Sequence, residues 1–535
     1  MIEDSPAARS RTTGLSSTVD LGVMAFLVCL SGAAAWWAFP SWDDGVLWLN
    51  ALEGGAKAVA NSQPDRPIMG AIWGLLAAHG LLWIVAAAVY LITWMGTGVI
   101  TLALWRRFFP EWAHFAIVAA ILAISPVLLE TQTIAVNPVF SGHFGAMLVY
   151  ASQWLIWRPR HGRVAWGRIM AGGTLVFLAS LISEYATLAA AVACGAFYGL
   201  STRGSRLPLP ARLLRQQRLL LAFTVACGVG GYLIYHLLGS ADARPEIRPE
   251  KQLVVLGFRH LLEVPIRLPF SLWTALLGEF LKDLGEANFS RNTLWGIPVG
   301  LSLAAVVVGR LRRASSGEHA DDALPPTPAW KRAMLLLVPL AVGLCAILAM
   351  STTIRGNVAS RYWQPLIPLT ACLSLFILLT IVRSRFHVAV AALCAFTGAY
   401  LEGNAVYSAR ATARQAAAIG EKIHRELAPA GLTVALFVDP PTNHAVGDPP
   451  PRPYELISHL TRGWPAADRE RFWAGAFSWQ PIHQSVPGLG GACGRVTSIN
   501  SDTQRGWKRQ GIVSKVLWVS FDADGLPYIE TGAGL

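Results

Sequence analysis

Residues 21–39 read LGVMAFLVCLSGAAAWWAF, from Leu21 to Phe39 without one charged side chain. As a helix rising about 1.5 Å per residue, this stretch is about 28 Å long, close to the thickness of a bilayer's hydrocarbon core. Comparable apolar runs recur at Ile117–Leu129 and Leu219–Leu238. In lipid, backbone N–H and C=O groups have no water to bond, so only helices and closed barrels cross. Barrel strands alternate apolar and polar residues over about ten positions, and no such segments occur. The runs predict a polytopic α-helical membrane protein.

Composition leads to the same class. Of 535 residues, 53% are hydrophobic and 14% are charged, against about 25% charged in soluble chains. The net charge of +12 raises the question of nucleic acid. Its distribution answers against it, because residues 407–535 carry 13 Lys/Arg against 11 Asp/Glu. The basic excess sits instead in short segments: Arg106 and Arg107; Arg158, Arg160, Arg163 and Arg168; Arg203, Arg206, Arg212, Arg215 and Arg218; Arg310, Arg312, Arg313, Lys331 and Arg332; Arg383 and Arg385. Short basic loops of this kind mark the cytoplasmic side of a membrane protein.

These loops fix a topology with about eleven transmembrane helices. A cytoplasmic tail, residues 1–20, precedes the first span. Further spans fall near Leu81–Leu104, Ala113–Leu129, Phe140–Trp157, Ile169–Leu181, Thr187–Leu200, Leu219–Leu238, Leu294–Val308, Ala333–Met350, Leu366–Ile381 and Val388–Tyr400. Each arginine cluster then lies inside, after an even-numbered span. One more span would invert every later loop. Pro67–Gly80 and Leu253–Leu281 therefore read as interfacial or re-entrant elements, the second carrying Arg259, His260, Glu263, Arg267 and Glu279. The parity places a domain of residues 405–535 outside, in the periplasm of a bacterium whose inner membrane holds residues 21–404. Ala33–Ala35 offers a small-residue cleavage site, but a multispanning chain is expected to keep its first helix as an anchor.

The outer loops carry the chemically interesting residues. The first holds Asp43-Asp44 and ends in Asp65-Arg66-Pro67; the second holds Glu130 and Asn137-Pro138; the third is the turn Ser183-Glu184-Tyr185; a later one holds Arg355 and Arg361-Tyr362, followed by Pro365 and Pro368. With an acidic pair after the first span, Arg66-Pro67 before a juxtamembrane helix, Glu184 at the outer end of the fifth span and an Arg-Tyr-x-x-Pro entry to a late span, the chain resembles the GT-C class of integral membrane glycosyltransferases. The plan of many helices followed by an outer soluble domain is also similar. The resemblance covers residues 1 to about 400 and rests on short motifs. It implies a polyprenyl-phosphate-linked sugar donor, a glycan or glycolipid acceptor, and inversion at the anomeric carbon.

The chemistry needs the same groups. A carboxylate near the acceptor hydroxyl takes its proton as the new bond forms, a role for Asp43 or Asp44. The departing lipid phosphate needs cationic stabilisation, which Arg66, Arg355 and Arg361 offer through paired guanidinium hydrogen bonds. A divalent cation, Mg or Mn, is compatible with this site; Glu184 would ligate it or hold a positive residue, with Tyr185, Glu130 and Asn137 in support. Plainer readings compete. Asp43 or Asp44 would also cap a short surface helix, Arg355 and Arg361 would also snorkel to the interface, and His143 reads as a packed histidine. At the level of function, an envelope polysaccharide ligase or polymerase, a lipid-linked-substrate flippase or transporter, and a non-catalytic scaffold stay open.

The C-terminal region predicts a small α/β domain. Ala409–Leu427 reads as a helix stopped before Pro429, Thr433–Val438 as a buried strand, Tyr454–Thr461 as a helix, and Ile512–Phe521 as a second strand. Asp439 at a strand end is a weak site candidate. Six of the seven cysteines lie in apolar runs and only Cys493 in the outer region, so no disulfide framework is expected.

Overall fold

A computed structural model describes residues 6–38, 55–57, 59, 67–124, 143–157, 166–203, 211–239, 258–273, 296–315, 328–350, 366–427, 435–438, 496–499, 517–521 and 527–529. These residues are almost entirely helical. In order they form α1 (Pro6–Ala38), α2 (Pro67–Ala78), α3 (Leu82–Phe108), a 3-10 turn (Pro110–Phe115), α4 (Ala116–Ile124), α5 (Gly145–Ile156), α6 (Trp166–Ile182) and α7 (Glu184–Arg203). There follow α8 (Ala211–Gly239), α9 (Phe258–Trp273), α10 (Gly296–Ser315), α11 (Ala329–Met350), α12 (Ile367–Ile381) and α13 (His387–Leu427).

By length and composition, four stretches among the described residues are able to cross a membrane: Ala87–Phe108, Leu214–Tyr235, Ala329–Ala346 and Ser384–Asn404. That is fewer than the eleven spans expected from the sequence. The other apolar helices are shorter. Gly145–Ile156, for example, has 12 residues, about 18 Å of helix against a core of about 30 Å.

The described arginines of the basic clusters gather at one end of the bundle. Asp20 on α1 is 1% exposed, with Arg106 of α3 at 2.5 Å and Arg310 of α10 at 2.6 Å. Arg310 also donates to the His114 carbonyl at 2.7 Å. Burial pushes the Asp20 carboxyl above the usual carboxylate range, while Arg310 and then Arg106 pull it down. Beside them, Arg332 at the start of α11 bonds to Glu111 and to the Phe108 carbonyl. Its guanidinium lies over the rings of Phe109 and Phe376. Arg107 donates to the carbonyl of Trp154 near the end of α5, and Trp112 meets His387 at the start of α13.

Helix directions follow from these ties and from the packing of small residues, which lets helices approach closely in an apolar environment. A Cβ added at Gly98 of α3 would lie 2.9 Å from Met24 of α1, and one at Gly32 of α1 would lie 2.8 Å from Leu91 of α3, so the two run antiparallel. The same holds for α7 and α11, where Gly199 faces Leu335 and Gly195 faces Pro339, and for α10 and α13, where Gly300 faces Phe396. Thus α1, α4, α6, α8, α11 and α13 run away from the arginine end, and α3, α5, α7, α10 and α12 run toward it.

Local sequence explains the breaks. Phe109 precedes Pro110, which disfavours helix at the residue before it, and α3 stops there with the Phe109 N–H on the Trp105 carbonyl. Between α2 and α3, Gly80 takes φ +65°. Its N–H reaches the Ala77 carbonyl at 3.0 Å, and that of Leu81 reaches Leu76 at 2.9 Å, the paired closure that favours glycine after a helix. α2 and α9 occupy the two stretches read as interfacial or re-entrant. Trp73 and Met69 of α2 are buried, and α9 contains Pro265 and Pro269.

One sequence expectation is corrected at the C-terminal end. The run ending at Tyr400 and the helix from Ala409 are not separate, because α13 is continuous over 41 residues, about 62 Å. No proline interrupts it before Pro429. Beyond it, β1 (Ala435–Val438), β2 (Val496–Ile499), β3 (Leu517–Phe521) and β4 (Pro527–Ile529) form one sheet in the order β2-β1-β3-β4. β1 is parallel to β2 and β3, and β4 is antiparallel to β3. Strands β1 and β3 fall within the two stretches read as strands. The helix expected at Tyr454–Thr461, Asp439 and Cys493 lie outside the described residues.

Candidate functional site

Asp43, Asp44, Arg66, Glu130, Asn137, Arg355 and Arg361 lie outside the described residues. Glu184 and Tyr185 open α7, whose first turn therefore sits at the end of the bundle opposite the arginines. The described helix ends nearest the other candidates in sequence are Ala38 of α1, Pro67 of α2, Ile124 of α4, Gly145 of α5, Met350 of α11 and Ile367 of α12. α1, α4 and α11 run toward the opposite end, and α5 and α12 start from it. α2 joins α3 there through the Gly80 turn. The segments that carry Asp43, Asp44, Glu130, Asn137, Arg355 and Arg361 thus attach to helix ends at that end of the bundle, whereas Arg66 precedes Pro67, which is at the other end of α2 from the Gly80 turn.

Beneath that end is a buried polar cluster. Glu402 of α13 is 1% exposed and Ser31 of α1 is 2% exposed. The Ser31 hydroxyl donates to Glu402 Oε2 at 3.2 Å. Tyr90 of α3 lies beside both and meets the Trp94 ring edge-on, with ring centroids 6.0 Å apart. The Trp94 ring is in turn 4.7 Å from that of His143. His143 is a buried, packed histidine, as its apolar setting in the sequence predicts.

The depth of the cluster follows from helix rise. Ser31 is eleven residues along α1 from Asp20 and Glu402 fifteen along α13 from His387, or about 16 and 22 Å from the arginine end. A carboxylate at such depth among apolar helices is expensive and marks a functional-site candidate by default. A hydroxyl donor such as Ser31 offsets part of that cost, because a buried polar group is stabilised by a hydrogen-bond partner. Two residues further on, the Asn404 side-chain oxygen accepts the Gly296 N–H at 3.0 Å. It thereby satisfies one of the donors that the first turn of α10 leaves open.

Glu402, Ser31, Tyr90 and Trp94 were not among the sequence candidates. Glu402 stands two residues past the end of the apolar run Val388–Tyr400, an acid at a span end like Glu184. The packing of α13 against α1 and α10 is what turns that end into interior. As for a cation, the described residues contain no group of three or more His, Cys, Asp or Glu arranged to hold a metal. Glu184 and Glu130, the acids that chemistry would use, have no described side chains.

The fold and site together define a helical bundle that includes helices long and apolar enough to cross a membrane, with a buried carboxylate among them. Beyond that class, no family model, no curated protein and no solved structure matches the chain.

Proposed function

We propose that the chain is a GT-C-like membrane glycosyltransferase of a bacterial inner membrane, moving a sugar from a polyprenyl-phosphate donor to an envelope glycan or glycolipid acceptor. In this reading the bundle has about eleven spans, the arginine end faces the cytoplasm, and a C-terminal α/β domain of residues 405–535 lies in the periplasm. Asp43 or Asp44 takes the acceptor proton. Arg66, Arg355 and Arg361 receive the phosphate, and Glu184, Tyr185, Glu130 and Asn137 support them. The observation that carries the reading is the convergence, on the end away from the arginines, of the helix ends that flank the segments carrying Asp43, Asp44, Arg355 and Arg361, together with the first turn of α7. A lipid donor entering from the bilayer needs its reactive groups gathered at one membrane boundary.

The test is a mass-spectrometric profile of envelope glycans from a deletion strain complemented with wild type, Asp43→Asn or Asp44→Asn, with membrane accumulation checked. Loss of one glycan in the deletion and in one variant supports the transferase and names its product. Wild-type profiles from both variants remove the proposed mechanism.

Glu402 favours a second reading, a transporter or flippase for a lipid-linked substrate, since such proteins place ionisable groups within the bundle. That reading expects Glu402 to be essential while Asp43 and Asp44 are dispensable. An envelope ligase or polymerase shares the lipid-linked donor and the outer arginines, and the missing glycan would distinguish it.

A further inference from the structure

We propose that Glu402 is a positioning residue: it fixes α1 through Ser31 and so sets where the chain leaves α1 toward Asp43 and Asp44. This rests on the transferase reading above.

The argument starts from the buried face of α1. Asp20, Met24, Leu27, Ser31 and Ala34 are all buried, while Phe26 and Cys29 are exposed on the other side. The spacing of three and four residues is that of one helix face. Between the two ends of this stripe, Met24 and Leu27 give apolar contact, which resists separation but allows sliding and rotation. Polar side chains stand at two points. Asp20 is held by Arg106 and Arg310 at the arginine end, and Ser31 is held by Glu402 about 16 Å further on. Two directional attachments fix both the rotation and the height of a helix, where one fixes neither fully.

The partner helix suits the role. α13 is locked against α10, because Gly296, Gly300 and Gly403 bring the two backbones together and Asn404 bonds the Gly296 N–H. α1 itself approaches α3 closely at Gly32, one residue from Ser31. From Ser31 to Ala38, the last residue of α1, is about two helical turns. A rotation of α1 released at Ser31 is therefore carried directly to the point where the acid-bearing segment begins.

The experiment combines glycan profiles with a position readout that does not depend on activity. Variants Glu402→Gln, Ser31→Ala, Ser31→Thr and the double Ser31→Ala/Glu402→Gln are compared at equal membrane accumulation. Weakening the buried Ser31–Glu402 hydrogen bond is expected to lower product about tenfold in Glu402→Gln and about threefold in Ser31→Ala. Ser31→Thr keeps the hydroxyl and stays within about twofold of wild type. The double variant is no worse than Glu402→Gln, since both changes remove one interaction. In parallel, Ala38→Cys is placed in each background, and its reaction with a maleimide in detergent is followed by peptide mass spectrometry. Labelling about threefold faster in Glu402→Gln and Ser31→Ala supports the proposal.

Unchanged labelling, or additive losses in the double variant, overturns it. So does an inactive Glu402→Gln beside a fully active Ser31→Ala, since the carboxylate then acts without Ser31. If deletion of the gene leaves every glycan unchanged, the transferase reading falls and labelling alone decides whether Glu402 positions α1.

Discussion

Asp20 and Arg310 stand 290 positions apart in the chain and 2.6 Å apart in space. With Arg106 on the other side of the same carboxylate, they join the first helix, the third and the tenth at one end of the bundle. The pairing gives the basic residues at that end two uses. Outward-facing ones such as Arg312 and Arg313 are exposed, while Arg310 and Arg332 turn inward and hold helices together.

Asp20→Asn should destabilise the fold by about 3 kcal/mol, because removing one partner of a buried pair leaves the other charge uncompensated. Thermal unfolding in detergent would measure it. Replacing both members with apolar residues, Asp20→Leu with Arg310→Met, should recover part of the loss. A double variant less stable than Asp20→Asn would argue against the pair as the cause.

Arg332 makes a second, chemically different contact. It bonds to Glu111 and to the Phe108 carbonyl, and its planar head covers two rings. Arg332→Ala should cost about 2 to 3 kcal/mol through lost hydrogen bonds and packing. Arg332→Lys should recover less than half of that, since an ammonium lacks the flat fork that serves all four partners. Unfolding temperatures of the two variants against wild type decide the point, and equal stability of Lys and Arg would contradict it.

The arginine end was readable because positive charge in short loops has one physical cause, the asymmetry of insertion. The segments holding Arg106, Arg310 and Arg332 were accordingly assigned to one side. Which of those arginines turn inward was not readable, because Asp20 meets Arg310 only once the intervening helices have packed. Glu402 escaped for a related reason. Hydropathy ended the last run at Tyr400 and the next helix was read from Ala409, and nothing local announces that residues 401–408 join the two into one helix. Strand β1 was legible as a short apolar run ended by Asp439-Pro440-Pro441, and β3 from the alternation within Ile512–Phe521. β2 (Val496–Ile499) was not, since Thr497 and Ser498 stand between its two apolar residues and give neither an apolar run nor an alternation.

The contact between α10 and α13 gives a prediction with an internal control. A Cβ at Gly300 would sit 2.8 Å from the Phe396 carbonyl oxygen, a backbone atom that cannot swing aside. Gly300→Ala should therefore destabilise the protein by about 1 to 3 kcal/mol through overpacking. On the same helix, Gly309 meets nothing within 4 Å, and Gly309→Ala should be neutral or stabilising by up to about 1 kcal/mol from helix propensity. Both are read by unfolding in detergent. Equal effects at the two sites would show that the helix packing is not what Gly300 serves.

The turn between α2 and α3 yields the last expectation. Gly80 holds φ +65° with nothing within 4 Å of where a Cβ would stand, so a substitution there pays in backbone conformation alone. The left-handed region costs an L-residue about 1 to 2 kcal/mol, and Asn less than Ala because its side chain bonds locally. Gly80→Ala should lower stability by about 1 kcal/mol, and Gly80→Asn by roughly half as much. Gly80→Val should be the worst of the three, since a β-branched residue is a genuine outlier at positive φ. The order Asn, Ala, Val in thermal unfolding is the signature of a conformational cause. If Ala and Val were instead equal to wild type, the paired closure at Leu76 and Ala77 would not be what sets α2 against the start of α3.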